Sequence, residues 1–167
     1  MRPERRADLQ LTSFKGPSVG TPRWSPDGRW IAFDSRGGGR SDISVIAADG
    51  GAPRRLMSEL SDVKMPAWSH DGKWIYFVFD RSGSEQLWKM PALGGAPAQL
   101  TRGGSWEGLP SPDGKLVYFV RRDGGGIWSV PVEGGAEKPV QGLEKAVRIS
   151  RCWGVLKEGI YFRGVSA

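Results

Sequence analysis

The stretch "KWIYFVF", Lys73 to Phe79, decides the fold. Side chains alternate along a strand, so Ile75, Phe77 and Phe79 leave one face while Trp74, Tyr76 and Val78 leave the other. Both faces are apolar, and a strand of this kind needs cover on two sides. Sheets stacked radially, each sandwiched between two neighbours, supply that cover. The stretch lies within "WSHDGKWIYFVFDR", Trp68 to Arg81, and the same grammar returns along the chain. "WSPDGRWIAFDSR" occupies Trp24 to Arg36, "PSPDGKLVYFVRR" occupies Pro110 to Arg122, and a weaker "WGVLKEGIYFRG" occupies Trp153 to Gly164. Asp27, Asp71 and Asp113 recur at steps of 44 and 42 residues. Such a period, punctuated by Gly and Pro every roughly eight to twelve residues, is that of propeller blades and not of helical solenoids.

Each unit reads as four strands. An inner strand ends at Trp24, Trp68 or Pro110, a polar turn reverses the chain, and a two-faced second strand follows. The third strand is "DISVIA", "QLWKMP" or "GIWSVP", and the fourth ends at "RRLM", "AQLT" or "KPVQ". The predicted architecture is all-β, a β-propeller segment of three full four-stranded blades with partial blades at both ends. Residues 1–13 read as the tail and outer strand of a preceding blade, since "LQLTS" at Leu9 to Ser13 matches a fourth strand. Blades then occupy 14–56, 57–101 and 102–141, and 142–167 form the first half of a further one. Gly28, Gly72 and Gly114 stand where each turn needs a positive φ, and Asp27, Asp71 and Asp113 can hydrogen-bond the turn backbone. Trp24, Trp68 and Trp153 are expected to pack between blades near the axis. Pro110 departs from that pattern and predicts looser packing at the third blade.

The run "WSPDGRWIAF", followed by "DISVIAADGGAPRRL", resembles the TolB-type propeller repeat, a WD-like repeat in which Trp-Ser-Pro-Asp-Gly precedes an aromatic–aliphatic strand. The likeness covers nearly the whole chain, with His70 replacing the repeat's Pro and "LKEG" its fourth turn. The resemblance implies one of three settings: a protein-interaction or sensory module in a larger bacterial protein, the accessory propeller of a prolyl-oligopeptidase-like serine peptidase, or a periplasmic TolB-like protein. "GIWSVPVEGGAEKPV" with "WGVLKEGIYF" is most similar to propellers carried behind a winged-helix DNA-binding domain in bacterial regulators. Rings of this repeat take six or seven blades, roughly 260 to 300 residues, so the chain reads as a fragment forming an open arc. The alternative is a four-bladed ring closed by pairing Leu9 to Ser13 near Tyr161.

Catalytic signatures are missing. The sequence has no G-x-S-x-G elbow, no phosphate-binding G-x-x-x-x-G-K-[ST] loop and no His pair for zinc. The single histidine, His70, holds the turn position of Pro26 and Pro112 and reads as a substituted turn residue. Asp27, Asp71 and Asp113 lie on separate blades, each with a local duty, which argues against a shared cation site. The Gly-rich segments Ser35 to Asp42 and Arg121 to Trp128 do not lead from a strand into a helix, so they read as loops. With one cysteine, Cys152, the chain has no internal disulfide and no thiolate cluster. The sequence therefore predicts no catalytic residues, no cofactor and no metal. No stretch approaches the roughly 20 apolar residues of a membrane helix, and the charged start "MRPERRADLQLTS" reads as no secretory signal.

The net charge of +6 raises the question of nucleic acid. Propellers bind through the loops at one end, and on the loops joining second to third strands and blade to blade seven cations face seven anions. A basic track is not predicted there, and a protein is the expected partner. Arg36, Arg81 and Arg121 follow the second strand in successive blades and are expected to ring the channel mouth, as arginine suits carboxylate or phosphate capture. Trp106, in "GGSWEGL", stands outside the repeat grammar on the same face, either as a binding anchor or tucked over the axial opening.

Overall fold

The computed structural model describes residues 10–11, 19–37, 40–57, 61–123, 125–144 and 153–162. All fourteen elements among them are strands, which form three four-stranded antiparallel sheets and one hairpin. The first blade comprises β1 (Val19–Trp24), β2 (Trp30–Gly37), β3 (Arg40–Ala47) and β4 (Arg54–Met57). The second comprises β5 (Val63–Trp68), β6 (Trp74–Phe79), β7 (Gln86–Pro91) and β8 (Ala98–Gln99). The third comprises β9 (Ser105–Pro110), β10 (Leu116–Arg121), β11 (Ile127–Pro131) and β12 (Lys138–Pro139). A hairpin of β13 (Trp153–Leu156) and β14 (Gly159–Phe162) follows. Each strand pairs with the next in sequence, and the inner strands meet in succession, β1 on β5, β5 on β9 and β9 on β13. This is an arc of radially stacked propeller blades.

Alternation along β6 accounts for the stacking. Ile75, Phe77 and Phe79 are fully buried against Ala32, Ile43, Val45 and Met57 of the first blade. Tyr76, pointing the other way, packs with Leu87 against Val117, Phe119 and Val130 of the third. Burial pushes the Tyr76 phenol up to about 12, so the ring enters the core uncharged. Gly108 permits the close approach of β9, since a Cβ there would fall 2.5 Å from the Leu87 Cδ1. Val120, Ile127 and Trp153 continue the core between the third blade and the hairpin.

The three turns share one hydrogen-bond pattern. Asp27 Oδ1 accepts from the Ser25 hydroxyl at 2.5 Å and from the Arg29 N–H at 3.1 Å, while Ser25 Oγ accepts from the Trp30 N–H at 2.9 Å. Ser69, Asp71, Lys73 and Trp74 repeat it, as do Ser111, Asp113, Lys115 and Leu116. Gly28, Gly72 and Gly114 adopt φ of 68°, 71° and 69°, a left-handed backbone that glycine tolerates without a Cβ clash. The inner strands carry a second irregularity. Register shifts within each inner pair, and Thr21 and Met65, equivalent residues of β1 and β5, take positive φ there.

Trp68 is 8% exposed, and its indole N–H donates to the Arg23 carbonyl of the preceding blade at 3.0 Å. Trp153 donates in the same direction, to Glu107 Oε2 at 2.9 Å. Trp24 departs from the sequence expectation: it is 60% exposed, because no preceding inner strand lies beside β1 among the described residues to receive its indole. At the tail, Leu11 packs on Ile31, Phe33 and Ile46 of the first blade, and Tyr161 is exposed. Leu9, Thr12, Ser13 and Cys152 lie outside the described residues.

Two outcomes test this account. Trp68→Ala should cost about 3 to 5 kcal/mol in urea denaturation, and Trp68→Phe, which removes the N–H and leaves a smaller void, about 1 to 3 kcal/mol. Hydrogen bonds from serine hydroxyls and backbone N–H groups hold Asp27, Asp71 and Asp113 below the ordinary carboxylate value of 3.8. A folded-state pKa depressed in this way stabilises above the unfolded value, and the gain is lost as pH falls through the folded one. Thermal melts should therefore drop as pH falls below 3.8, less steeply in Asp71→Asn than in the parent chain.

Candidate functional site

At the end of the blades opposite the Asp-Gly turns, charges from successive blades converge on one aromatic ring. Lys64 of β5 pairs with Glu85 of the β6–β7 loop, and Arg122, just beyond β10, pairs with the same carboxylate. Trp106 of β9 lies under both cations, 4.8 Å from Lys64 Nζ and 5.4 Å from Arg122 Cζ. Burial lowers the pKa of Lys64; Asp62 and Asp80 oppose that shift, while Arg122 and Arg36 add to it. Arg36 thus belongs to the same electrostatic neighbourhood. Its Nε also donates to Ser41 Oγ at 3.2 Å, and the Ser41 N–H donates to Asp62 at 3.0 Å. Trp106 is half-buried with cations over its ring, a geometry between a free anchor and a plug.

Glu107, the next residue on β9, turns to the other side. It is 4% exposed and accepts from Arg23 Nη2 of the first blade at 2.7 Å and from Trp153 of the hairpin at 2.9 Å. One carboxylate therefore ties the first blade, the third blade and the hairpin together near the inner strands. Both Glu107 bonds are charge-assisted, which shortens and strengthens them.

Arg121 does not join this face. It stacks over Trp128 at 4.3 Å and pairs with Glu137 at 3.2 Å and Asp123 at 3.5 Å, toward the outer strands. The physical reason is register: Leu116 stands where Trp74 stands in the second blade, so Arg121 is the counterpart of buried Phe79, and Arg122 the counterpart of Asp80 and Arg36. A slip of one residue changes the face. Arg81 is exposed in the turn after β6. Sequence reasoning missed Lys64, Glu85, Arg122 and Glu107 as a set. Counting strand positions from the Asp-Gly turn would have selected Arg122 over Arg121, whereas nothing in the repeat marks Glu107.

With this geometry in place, the comparisons with known proteins fall into a pattern. A family model described as the TolB beta propeller domain matches residues 4–142. The chain belongs to this TolB β-propeller family. It is 37% identical over 51 residues to the Tol-Pal system protein TolB of Syntrophus aciditrophicus (strain SB), a match spanning 30% of this chain and 11% of that protein. A TolB-like structure from Agrobacterium tumefaciens superposes with a TM-score of 0.69 at 27% identity, covering 77% of this chain and 50% of that one. A puromycin hydrolase S511A mutant superposes with a TM-score of 0.72 over 89% of this chain and 25% of that one, at 20% identity, a likeness of fold alone. The TolB-family chain thus spans half or less of the length of these relatives. Nothing in these comparisons supports the finer likeness to propellers of winged-helix regulators or shows the chain to be a fragment. Among the described residues no helix is long and apolar enough to cross a membrane.

Glu85 holds two cations apart over one ring. Glu85→Gln should cost about 1 to 3 kcal/mol in urea denaturation, since it leaves two half-screened cations facing each other. Arg122→Gln, at the exposed end of the same pair, should cost less than about 1 kcal/mol.

Proposed function

We propose that the chain is a non-catalytic protein-interaction module that meets its partner through the face centred on Trp106, with Lys64, Arg36 and Arg122 around it. The observation that carries this reading is the half-buried indole beneath two cations that share Glu85. An aromatic held by neighbouring side chains loses little freedom on binding and offers a partner both apolar area and paired charge, the composition of interface hot spots. The balance of charge there favours a protein over nucleic acid, since each described cation of the cluster already has a carboxylate or hydroxyl beside it. Membership of a family whose relative is named as a Tol-Pal system protein accords with an interaction role.

The accessory propeller of a serine peptidase is the second reading, which the resemblance of the repeat implies equally. Photo-crosslinking in the native host separates interaction from packing. Benzoylphenylalanine at Arg36 or Trp106 should give a discrete adduct with one protein, absent when it replaces exposed Lys138 on β12. Adducts equal at all three positions, or none at the first two, overturn the reading. Hydrolysis of chromogenic peptides or esters above background overturns its non-catalytic part.

A further inference from the structure

Neighbouring blades leave a groove at the turn end of the arc, and two of these grooves are built from equivalent positions. The one between the second and third blades is lined by Ser69, Asp71, Trp74, Lys89, Val132 and Glu133. The one between the first and second is lined by Ser25, Asp27, Trp30, Val45, Ala92 and Leu93. Strand register fixes the correspondence. Trp74 pairs with Pro91 as Trp30 pairs with Ala47, which places Lys89 where Val45 stands one blade earlier. Leu116 pairs with Pro131, which places Val132 and Glu133 where Ala92 and Leu93 stand.

In the later groove the chain supplies its own occupant. The Lys89 side chain is 9% exposed, its Nζ lies 4.5 Å from the centre of the Trp74 ring, donates to the Val132 carbonyl at 2.6 Å and pairs with Glu133 at 3.2 Å. An ammonium over a ring and on a carbonyl and a carboxylate is a largely buried cation compensated on three sides. In the earlier groove Val45 stops short of that position, and the cavity opens to about 650 Å³ against about 310 Å³. Trp30, 40% exposed, offers the ring that Trp74 offers one blade on. Leu93 has replaced Glu133, but the carboxylates of Asp27 and Asp71 stand on the wall. The two cations nearby are engaged: Arg54 Nη1 donates to the Leu93 carbonyl at 3.0 Å, and Lys73 Nζ lies 3.8 Å from Asp71.

We propose that the groove between the first and second blades receives a lysine side chain from a partner protein, its methylenes lying along Trp30 and Val45 and its ammonium reaching the Ala92 carbonyl and Asp27. The occupant is the one the fold already seats one blade later, and the Asp27 carboxylate on the wall matches its charge. An apolar side chain of equal length would bring no donor to the carbonyl or the carboxylate. This site lies at the turn end, away from the Trp106 face, so either reading survives failure of the other.

Amide and indole NMR titration of the isotope-labelled chain tests the proposal. The probe is Nα-acetyl-lysine-N-methylamide, compared with Nα-acetyl-norleucine-N-methylamide, whose neutral side chain ends where the ammonium would be attached. Shifts should concentrate at the Trp30 indole N–H and the Ala92 and Leu93 amides, with the norleucine compound at least about tenfold weaker. Trp30→Ala, a change at an exposed ring, should abolish them, and Val45→Lys should do so by filling the groove internally. Lys89→Ala should vacate the second groove and raise the stoichiometry from one site to two. Equal binding of the norleucine compound, no saturable shifts, or shifts that persist in Trp30→Ala overturn the proposal.

Discussion

The structure depends on covering β6 twice. A strand apolar on one side can close a two-layer sandwich, but one carrying Ile75, Phe77 and Phe79 on one face and Tyr76 on the other is satisfied only between two further sheets. The consequence is stacking that propagates. Each blade is at once cover for its predecessor and in need of cover itself, so the energetics are those of nearest neighbours along a line. The free face of β1, with Val19 and Trp24 exposed, is where that line stops among the described residues.

Hydrogen bonds convert this stacking into a register. Hydrophobic contact alone would let one sheet slide over the next, whereas an indole N–H must find an acceptor when buried. Trp68 finds the Arg23 carbonyl and Trp153 finds Glu107, both on the inner strand of the blade before. At the third blade Pro110 has no such donor, and there the link is carried by Gly108, which lets β9 settle onto Leu87. Glu107 adds a tie from β9 to Arg23, so the first and third blades are connected without passing through the second.

Local patterns were legible in the sequence wherever one residue has one duty. The Ser-x-Asp-Gly turns and the alternation of β6 could be read directly, because turn chemistry and a period of two involve only neighbours in sequence. Trp24 shows where this fails: its side chain matches Trp68, but burial depends on a strand from elsewhere in the chain, which no local pattern records. Arg121 shows a second failure. Its position after the second strand looked equivalent to Arg36, yet the strand's pleat assigns it to the face of Phe79, and Arg122 takes the expected place. Long-range pairs such as Arg23 with Glu107 leave no periodic trace at all.

Repetition also makes differences between blades informative. Positions that stay constant, such as Ser25, Ser69 and Ser111 with their aspartates, serve the turn and are bound by the same hydrogen bonds in every copy. Positions that change serve what is particular to one interface. Val45 and Lys89 occupy the same place in the third strand of adjacent blades, and the change from valine to lysine alters the groove beside it from an open cavity to a filled one. The burial of Lys89 is tolerable because Trp74, Val132 and Glu133 surround it with a ring, a carbonyl and a carboxylate. Where Val45 stands, the ring of Trp30 persists without the cation. A repeat protein thus displays, in one of its own interfaces, the chemistry that another is shaped to accept.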